Sequence, residues 1–530
     1  MSKLAGATVA EPGETPRVFP GGNFFLIAAL LLFTIGAALR VYHLGDRSLW
    51  FDEALTANTS RSTLTHMLEA TRSRCSAPVV HPYILYLVEK VGKSPVAVRT
   101  PSVLASLLTI LVMLAMVRAK VSYHAALFSA MILALSASQI RYAQEVREYS
   151  LTVLFATGLI YCLLRWEAAG SRSRHPALLY AVLFFSPLIQ YGLVFFAFAV
   201  LCTMILRLLL TRDTRFRLSH VVVASIFLVA GSLLSFVLTL RYQFHPGRGQ
   251  WYLAENYFDP RTTSLLHFLG ANTKGLLSFL IPGQVIAFCF VFGAIIFCIA
   301  QVLKRKCDPV TLLVFTSVLI TICASLVKIY PYGGIRQCLF LAPGITLFAG
   351  IVFADILQRL RGSLQPMVAV AFMVLILFSG YRGLLRQWPY AEIEDTRSVL
   401  KELASSCAPN DQVWVNHDAV EAVDFYLQGK DQRFIYGHFH GDAPQEYVPE
   451  LLASIDRNSN RIWLVFSHLE QPSDRSEKLL IVNSLRPAWD VQSVVAPTNT
   501  ELYVAHRKVP QSHDGSPAKN NMTDDPRNVL

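Results

Sequence analysis

Long apolar stretches recur along most of the chain, and polar residues are confined to the segments between them. Apolar runs fall at 23–42, 100–118, 124–139, 149–165, 177–190, 192–210, 219–240, 283–303, 309–328, 338–357 and 365–382. Each is near the length that crosses roughly 30 Å of hydrocarbon. The pattern therefore predicts an α-helical polytopic membrane protein with about eleven transmembrane helices, in a range of 11–13. A weaker run at 263–282 reads as a surface or re-entrant segment. The first run lacks a small-x-small cleavage site, which predicts an uncleaved span rather than a removed signal peptide.

Beyond about residue 391 the period changes. Asp395–Ser406 predicts an amphipathic helix, and Val413–Val415, Phe434–Tyr436, Ile462–Phe466 and Leu502–Ala505 predict short strands. A small extracytoplasmic α/β domain over 391–508 fits, with no Gly-rich phosphate loop in it. Residues 1–20 and 509–530 are polar and Pro-containing and predict disordered tails, the first cytoplasmic. Residues 21–385 then form the membrane domain. No internal repeat is visible, which counts against inverted-repeat transporters.

Composition agrees with this layout. Of 530 residues, 53% are hydrophobic and 16% charged, against about one-quarter charged in a soluble domain. Mean hydropathy is +0.42. A soluble enzyme and a disordered chain are both excluded. The net charge is 47 − 36 = +11. Arg118/Lys120, Arg165/Arg172/Arg174, Arg212/Arg215/Arg217, Lys304/Arg305/Lys306 and Arg359/Arg361 occupy alternate loops, which places those loops in the cytoplasm. The basic balance thus reads as membrane topology, with membrane lipids and no nucleic acid as partner. The other face holds 43–99, 140–148, 190–192, 241–282, 328–337 and everything after 383. A bacterial inner (plasma) membrane with a periplasmic tail suits this arrangement. None of the nine Cys has zinc-site spacing; Cys75 and Cys407 lie in polar regions, as a pair or as free thiols.

Candidate chemistry concentrates in the outer loops. Asp52 and Glu53 follow the first span, flanked by Trp50 and Phe51. Partial desolvation at headgroup depth would make such carboxylates better bases. The second outer loop, Gln139–Tyr149, carries Arg141, Gln144, Glu145, Arg147 and Glu148. His81-Pro82-Tyr83 opens an amphipathic stretch that predicts an interfacial helix. Lys328 and Arg336 put cations at the outer edge, where a phosphate is a natural partner. The turn at Gln190-Tyr191-Gly192 faces the same side.

These segments, in this order, resemble the polytopic GT-C membrane glycosyltransferases of the family 39-like group. That group includes protein O-mannosyltransferases and the aminoarabinose transferase of lipid A. The matching segments are Trp50–Ala54, His81-Pro82-Tyr83 leading to Arg99–Ser102, Gln144–Tyr149 and Ile335–Pro343, over roughly residues 23–385. Tyr83 and Tyr149 depart from the residues common in relatives. The resemblance implies inverting transfer of a sugar from a polyprenyl-phosphate donor to a glycan, lipid or protein acceptor. It makes Asp52 the general base, with Glu53 and Glu145 as further catalytic carboxylates. Arg147, Arg336 and Lys328 would meet the donor phosphate, and His81, Tyr83, Gln144 and Tyr191 the substrates. A divalent metal held by Glu53, Glu145 and His81 is an alternative to the cations. Two other classes remain open: a multi-span transporter or flippase of a lipid-linked substrate, and a membrane-anchored assembly or sensor protein acting through 391–508.

Overall fold

A computed structural model describes residues 22–508, apart from 62, 170–175, 212–217, 244–252, 305–307, 361, 386–389, 428–432, 439–445, 456–458 and 471. The expected disorder of 1–20 and 509–530 lies outside the described residues, as do Arg172, Arg174, Arg212, Arg215, Arg217, Arg305, Lys306 and Arg361. The chain divides into two compact units, residues 1–393 and 394–530.

The first unit is helical: α1 (Gly22–Val41), α2 (Phe51–Thr59), α3 (Leu64–Ser73), α4 (Val80–Val88), α5 (Pro95–Ala115), α6 (Tyr123–Leu135), α7 (Ala137–Ala143), α8 (Tyr149–Ala169), α9 (Ala177–Ile189) and α10 (Leu193–Thr211). Next, α11 (Leu218–Ser235) runs through a π-helical turn into the short α12 (Arg241–Gln243). Then come α13 (Leu265–Leu280), α14 (Gln284–Leu303), α15 (Pro309–Leu326), α16 (Ala342–Arg359) and α17 (Leu364–Leu385). Local sequence sets several starts. Ser94, Ser122 and Asp308 cap α5, α6 and α15 by accepting the N–H of Ala97, Ala125 and Thr311.

Among the described residues eight helices are long and apolar enough to cross a membrane, and the α6–α7 pair makes nine if it counts as one span. This is a multi-pass membrane protein. The expected eleven included α9 and α10. Both are shorter apolar helices among the described residues, α9 rising only ~20 Å against ~30 Å of hydrocarbon, so length and composition count eight or nine spans without them. The apolar side chains of α1 and α17 face outward, only 11% of each span being buried. At the other extreme, α16 is enclosed by α6, α8, α14 and α15. Its Gly350 permits that: a Cβ there would lie 2.1 Å from Ser129 Oγ and 2.4 Å from the Ala125 carbonyl of α6.

The helix expected to end at 139 instead bends by 62° at Ser136 and continues as α7 to Ala143. The break leaves the last carbonyls of α6 without their helical ladder. Arg40 of α1, fully buried, donates to the carbonyls of Leu133 (3.0 Å) and Ala134 (3.1 Å) and to Ser106 Oγ (2.7 Å). A buried guanidinium thereby finds acceptors, and the bent segment is fixed.

The second unit is a five-stranded mixed sheet in the order β2-β1-β3-β5-β4. The strands are β1 (Gln412–Val415), β2 (Phe434–Tyr436), β3 (Arg461–Phe466), β4 (Trp489–Val495) and β5 (Glu501–Arg507). The first three pair in parallel, and β5 and β4 add antiparallel. Helices α18 (Thr396–Ser406), α19 (Val420–Leu427), α20 (Tyr447–Ser454) and α21 (Pro472–Leu485) accompany the sheet. Alternation sends Trp414, Leu464 and Phe466 into one core and Val413, Trp463 and Val465 into another. The strand β4 is absent from the sequence expectation. Asp490, Gln492 and Ser493 interrupt its apolar character, as suits a largely exposed edge strand.

Candidate active site

The site grows from the start of α2. Asp52 and Glu53 lie in the first turn, where the helix N-terminus favours negative charge. Adjacent helical residues point about 100° apart, so the two carboxylates meet different surroundings. Glu53 turns inward. Its Oε1 accepts from Arg99 Nε (3.0 Å) and from the Val146 N–H (2.9 Å), and its Oε2 from Arg99 Nη2 (2.7 Å). Arg99 also donates to the carbonyls of Leu44, Arg47 and Ser48. One buried bidentate pair thus ties α2, α5, the 44–48 loop and the loop before α8 together. Burial alone would raise the Glu53 carboxyl. Arg99, Arg47 and the Val146 N–H outweigh it and hold the group below its usual range.

Asp52 is half-buried. Its Oδ2 accepts from Arg336 Nη2 at 2.9 Å and lies 3.6 Å from Arg147 Nη1. Its side chain is 21% exposed, against 1% for Glu53, 3% for Glu145 and 5% for Glu148. It is therefore the most accessible carboxylate of the four. Two aromatic rings brace Arg336, Trp50 at 5.3 Å and Tyr149 at 5.7 Å. Arg147 lies 5.7 Å from the same Tyr149 ring and 3.5 Å from Glu148. Burial would lower Arg147, but Glu148 and Asp52 push it well above the usual arginine value, so it stays charged.

The other expected residues divide. Glu145 pairs with Arg141 (2.9 Å), which also donates to the Ala391 carbonyl (2.6 Å). Gln144 spends its amide on the carbonyls of Arg40 (3.0 Å) and Tyr42 (2.6 Å). Both brace the bend between α7 and α8. His81 is buried at the start of α4, with neither ring nitrogen hydrogen-bonded among the described residues. Burial, and then the charge of Arg147, push its pKa down to about 3, so the imidazole is neutral. The Tyr191 hydroxyl lies 2.7 Å from Gln243 Oε1 and 3.0 Å from Thr239 Oγ1. Tyr83 is exposed and stacks on Tyr86. Lys328 pairs with Asp259 at 3.5 Å. The structure therefore gathers Asp52, Arg147 and Arg336, and gives Glu53, Glu145 and Lys328 other charged partners. Sequence reasoning assigned no role to Arg99, Trp50 or Tyr149, whose signal is the charge or ring beside each motif. Both Cys75 and Cys407 are free thiols.

The donor set expected for a metal does not fit one. Both Glu53 oxygens meet Arg99, Glu145 meets Arg141, and His81 stands beside Arg147. Among the described residues no three His, Cys, Asp or Glu side chains are grouped to hold an ion.

Residues 76–236 match a family model described as dolichyl-phosphate-mannose-protein mannosyltransferase. That segment holds His81, Arg99, Glu145, Arg147 and Tyr191. The whole architecture is similar to ArnT from Cupriavidus metallidurans, solved bound to undecaprenyl phosphate. The TM-score is 0.53 at 15% identity, over 92% of this chain and 98% of that one. The chain shares the fold of ArnT, and residues 76–236 resemble the mannosyltransferase model. The chain is also similar to the oligosaccharyltransferase of Archaeoglobus fulgidus in its apo form. There the TM-score is 0.57 at 9% identity, over 92% of this chain and 75% of that one. The same archaeal enzyme, AglB, in complex with an inhibitory peptide and a dolichol-phosphate, matches at TM-score 0.53 and 10% identity with the same coverage. No sequence among curated proteins matches the chain.

Three helices orient the site. α5 starts near Arg99 and is followed by Arg118; α8 starts at Tyr149 and ends near Arg165; the span beginning at Arg336 ends at Arg359. The Asp52 group and these basic residues therefore lie at opposite ends of the same helices.

Proposed function

We propose that the protein transfers a sugar from a polyprenyl-phosphate carrier to an acceptor hydroxyl or amine at the outer membrane face, with inversion. One observation carries this reading: a half-buried carboxylate, Asp52, stands against two half-buried arginines, Arg336 and Arg147. The arginines suit a phosphate, and the carboxylate suits a proton acceptor. Support for the carrier comes from the solved relatives crystallised with undecaprenyl phosphate and dolichol-phosphate. An apolar groove of about 420 Å³, lined by Leu276, Phe290, Val314, Ile345 and Phe348, offers hydrocarbon room between spans. Opposed placement of the site and the basic helix ends supports an outer, periplasmic active site.

The mechanism follows from the arrangement. Before donor binds, Arg336 and Arg147 hold the Asp52 carboxylate. The donor phosphate competes for both cations and frees Asp52. Asp52 takes the acceptor proton as the acceptor attacks the anomeric carbon from the face opposite the phosphate. The bond from that carbon to the phosphate oxygen breaks, and the departing phosphate gains charge that Arg336 and Arg147 stabilise. Glu53 and Arg99 hold the start of α2 in place rather than touching substrate.

The test is mass spectrometry of extracted lipids and envelope glycans from cells lacking the protein, rescued with wild type or with Asp52→Asn. The reading requires a polyprenyl-phosphate sugar to accumulate and one glycan to lose a residue of that mass. Wild type should reverse both, and Asp52→Asn neither. Unchanged lipids and glycans would overturn it.

A further inference from the structure

Where α11 passes through its π-helical turn into α12, two arginines from different helices meet on one tyrosine ring. The guanidinium of Arg72, on α3, lies 4.7 Å from the centre of the Tyr242 ring, and that of Arg241, on α12, lies 4.6 Å from it. Arg72 Nε donates to the Leu238 carbonyl of the π-helical turn at 2.8 Å, and Arg241 donates to the Tyr242 hydroxyl. Such turns often mark functional positions. Among the described residues neither guanidinium is ion-paired with a carboxylate, and residues 244–252 contain no Asp or Glu. Arg99, Arg141, Arg147 and Arg336, by contrast, each meet one. Two positive charges therefore stand together uncompensated, and guanidiniums so placed suit the oxygens of a phosphate.

The helix sets the depth of the pair. Leu233, Phe236 and Val237 are exposed along the span that leads to it, and Tyr242 itself is 41% exposed. An aromatic ring at the end of a lipid-facing helix lies at headgroup level. A lone snorkelling arginine would reach water from its own helix. Here a second one converges on the same ring from α3. Gln243 fixes the side of the membrane. Its Nε2 donates to the carbonyls of Thr71 (2.7 Å) and Ala77 (3.0 Å), and its Oε1 accepts from the Tyr191 hydroxyl (2.7 Å). Tyr191 feels the Glu148 charge, so the arginine pair lies at the same end of the helices as Asp52 but outside that group.

We infer that Arg72, Arg241 and Tyr242 form a second phosphate site, occupied by the headgroup of an anionic phospholipid of the leaflet that faces the active site. The site does not depend on the transfer reading. Its lipid is not consumed. It bridges α3 to the end of α11, and so steadies Gln243 and, through it, Tyr191.

The test reconstitutes the full chain in vesicles of phosphatidylcholine with a minority of phosphatidylglycerol, extracts it in mild detergent and counts the retained lipids by native mass spectrometry. The basic loops at the opposite helix ends also hold anionic lipid, so the reading is a difference between wild type and variant. Arg72→Gln combined with Arg241→Gln should retain a single phosphatidylglycerol fewer than wild type. Arg336→Gln, at the other phosphate site, should retain as many as wild type. In pure phosphatidylcholine the difference should vanish. Arg241 is exposed, so Arg241→Gln alone makes the same comparison should the double variant fail to fold. Equal retention by wild type and the folded variant would overturn the inference, as would a difference that persists in pure phosphatidylcholine. Release of the lipid by millimolar inorganic phosphate would make this a site for free phosphate and overturn it too. So would a sugar appearing on the retained lipid when a polyprenyl-phosphate sugar is added, which would make that lipid the acceptor.

Discussion

Arg336 and Asp52 stand 284 positions apart in the chain and 2.9 Å apart in space. The contact joins the helix after the first span to the start of the most enclosed span. Trp50 and Tyr149 fix the guanidinium from its faces, so its donors are preset for an oxyanion. A lysine could carry the charge but neither the planar fork nor the ring contacts.

Arg336→Lys should therefore weaken donor use by about 10–100-fold through loss of bidentate and ring contacts. Arg336→Gln should be worse. Steady-state kinetics with a polyprenyl-phosphate sugar would read the effect chiefly in donor KM. Unchanged kinetics in Arg336→Gln would place the phosphate elsewhere.

Glu53 should behave as scaffold. Glu53→Gln leaves the Arg99 guanidinium buried beside a neutral amide, and breaking a buried pair costs about 3–5 kcal/mol. Thermal unfolding of the purified protein should show the loss, with abundance falling in cells. Wild-type stability combined with lost transfer would make Glu53 catalytic instead.

Chelation should leave transfer intact. The carboxylates nearest Asp52 are held by arginines, which serve the phosphate where a metal otherwise would. Activity after EDTA treatment, compared with activity restored by Mg²⁺ or Mn²⁺, checks this directly. Reversible loss would contradict it.

In the second unit, His468 Nδ1 contacts Glu394 Oε1 at 2.7 Å. Burial would lower the imidazole, but the Glu394 hydrogen bond and charge lift it to about 9. The folded value exceeds the ordinary 6.5, so this stabilisation is full below pH ~6.5 and fades as pH rises through about 9. The protection of β3 amides, as exchange corrected for the intrinsic pH-dependent rate, should fall across that window in wild type and stay flat in His468→Gln.

Much of this was legible in the sequence because membrane burial forces long apolar runs. The order Trp50–Glu53, His81–Tyr83, Gln144–Tyr149 and Arg336 carried the fold and brought Asp52 to notice. Sequence could not divide the acidic residues. Asp52 and Glu53 are adjacent and alike, and only the direction of α2 gives one to Arg336 and the other to Arg99. Glu145 and Glu148 are three apart, and a bend at Ser136 decides that Arg141 holds the first while Arg147 adjoins the second. Such bends arise from tertiary partners, here Arg40, rather than from Pro or Gly nearby.

The most direct test compares purified wild type and Asp52→Asn in vesicles, measuring donor binding and single-turnover transfer separately. Asn keeps the shape, removes the proton acceptor and releases both arginines to the phosphate. Donor binding should hold or tighten while transfer falls about 10²–10⁴-fold. Transfer at the wild-type rate by Asp52→Asn would contradict the account.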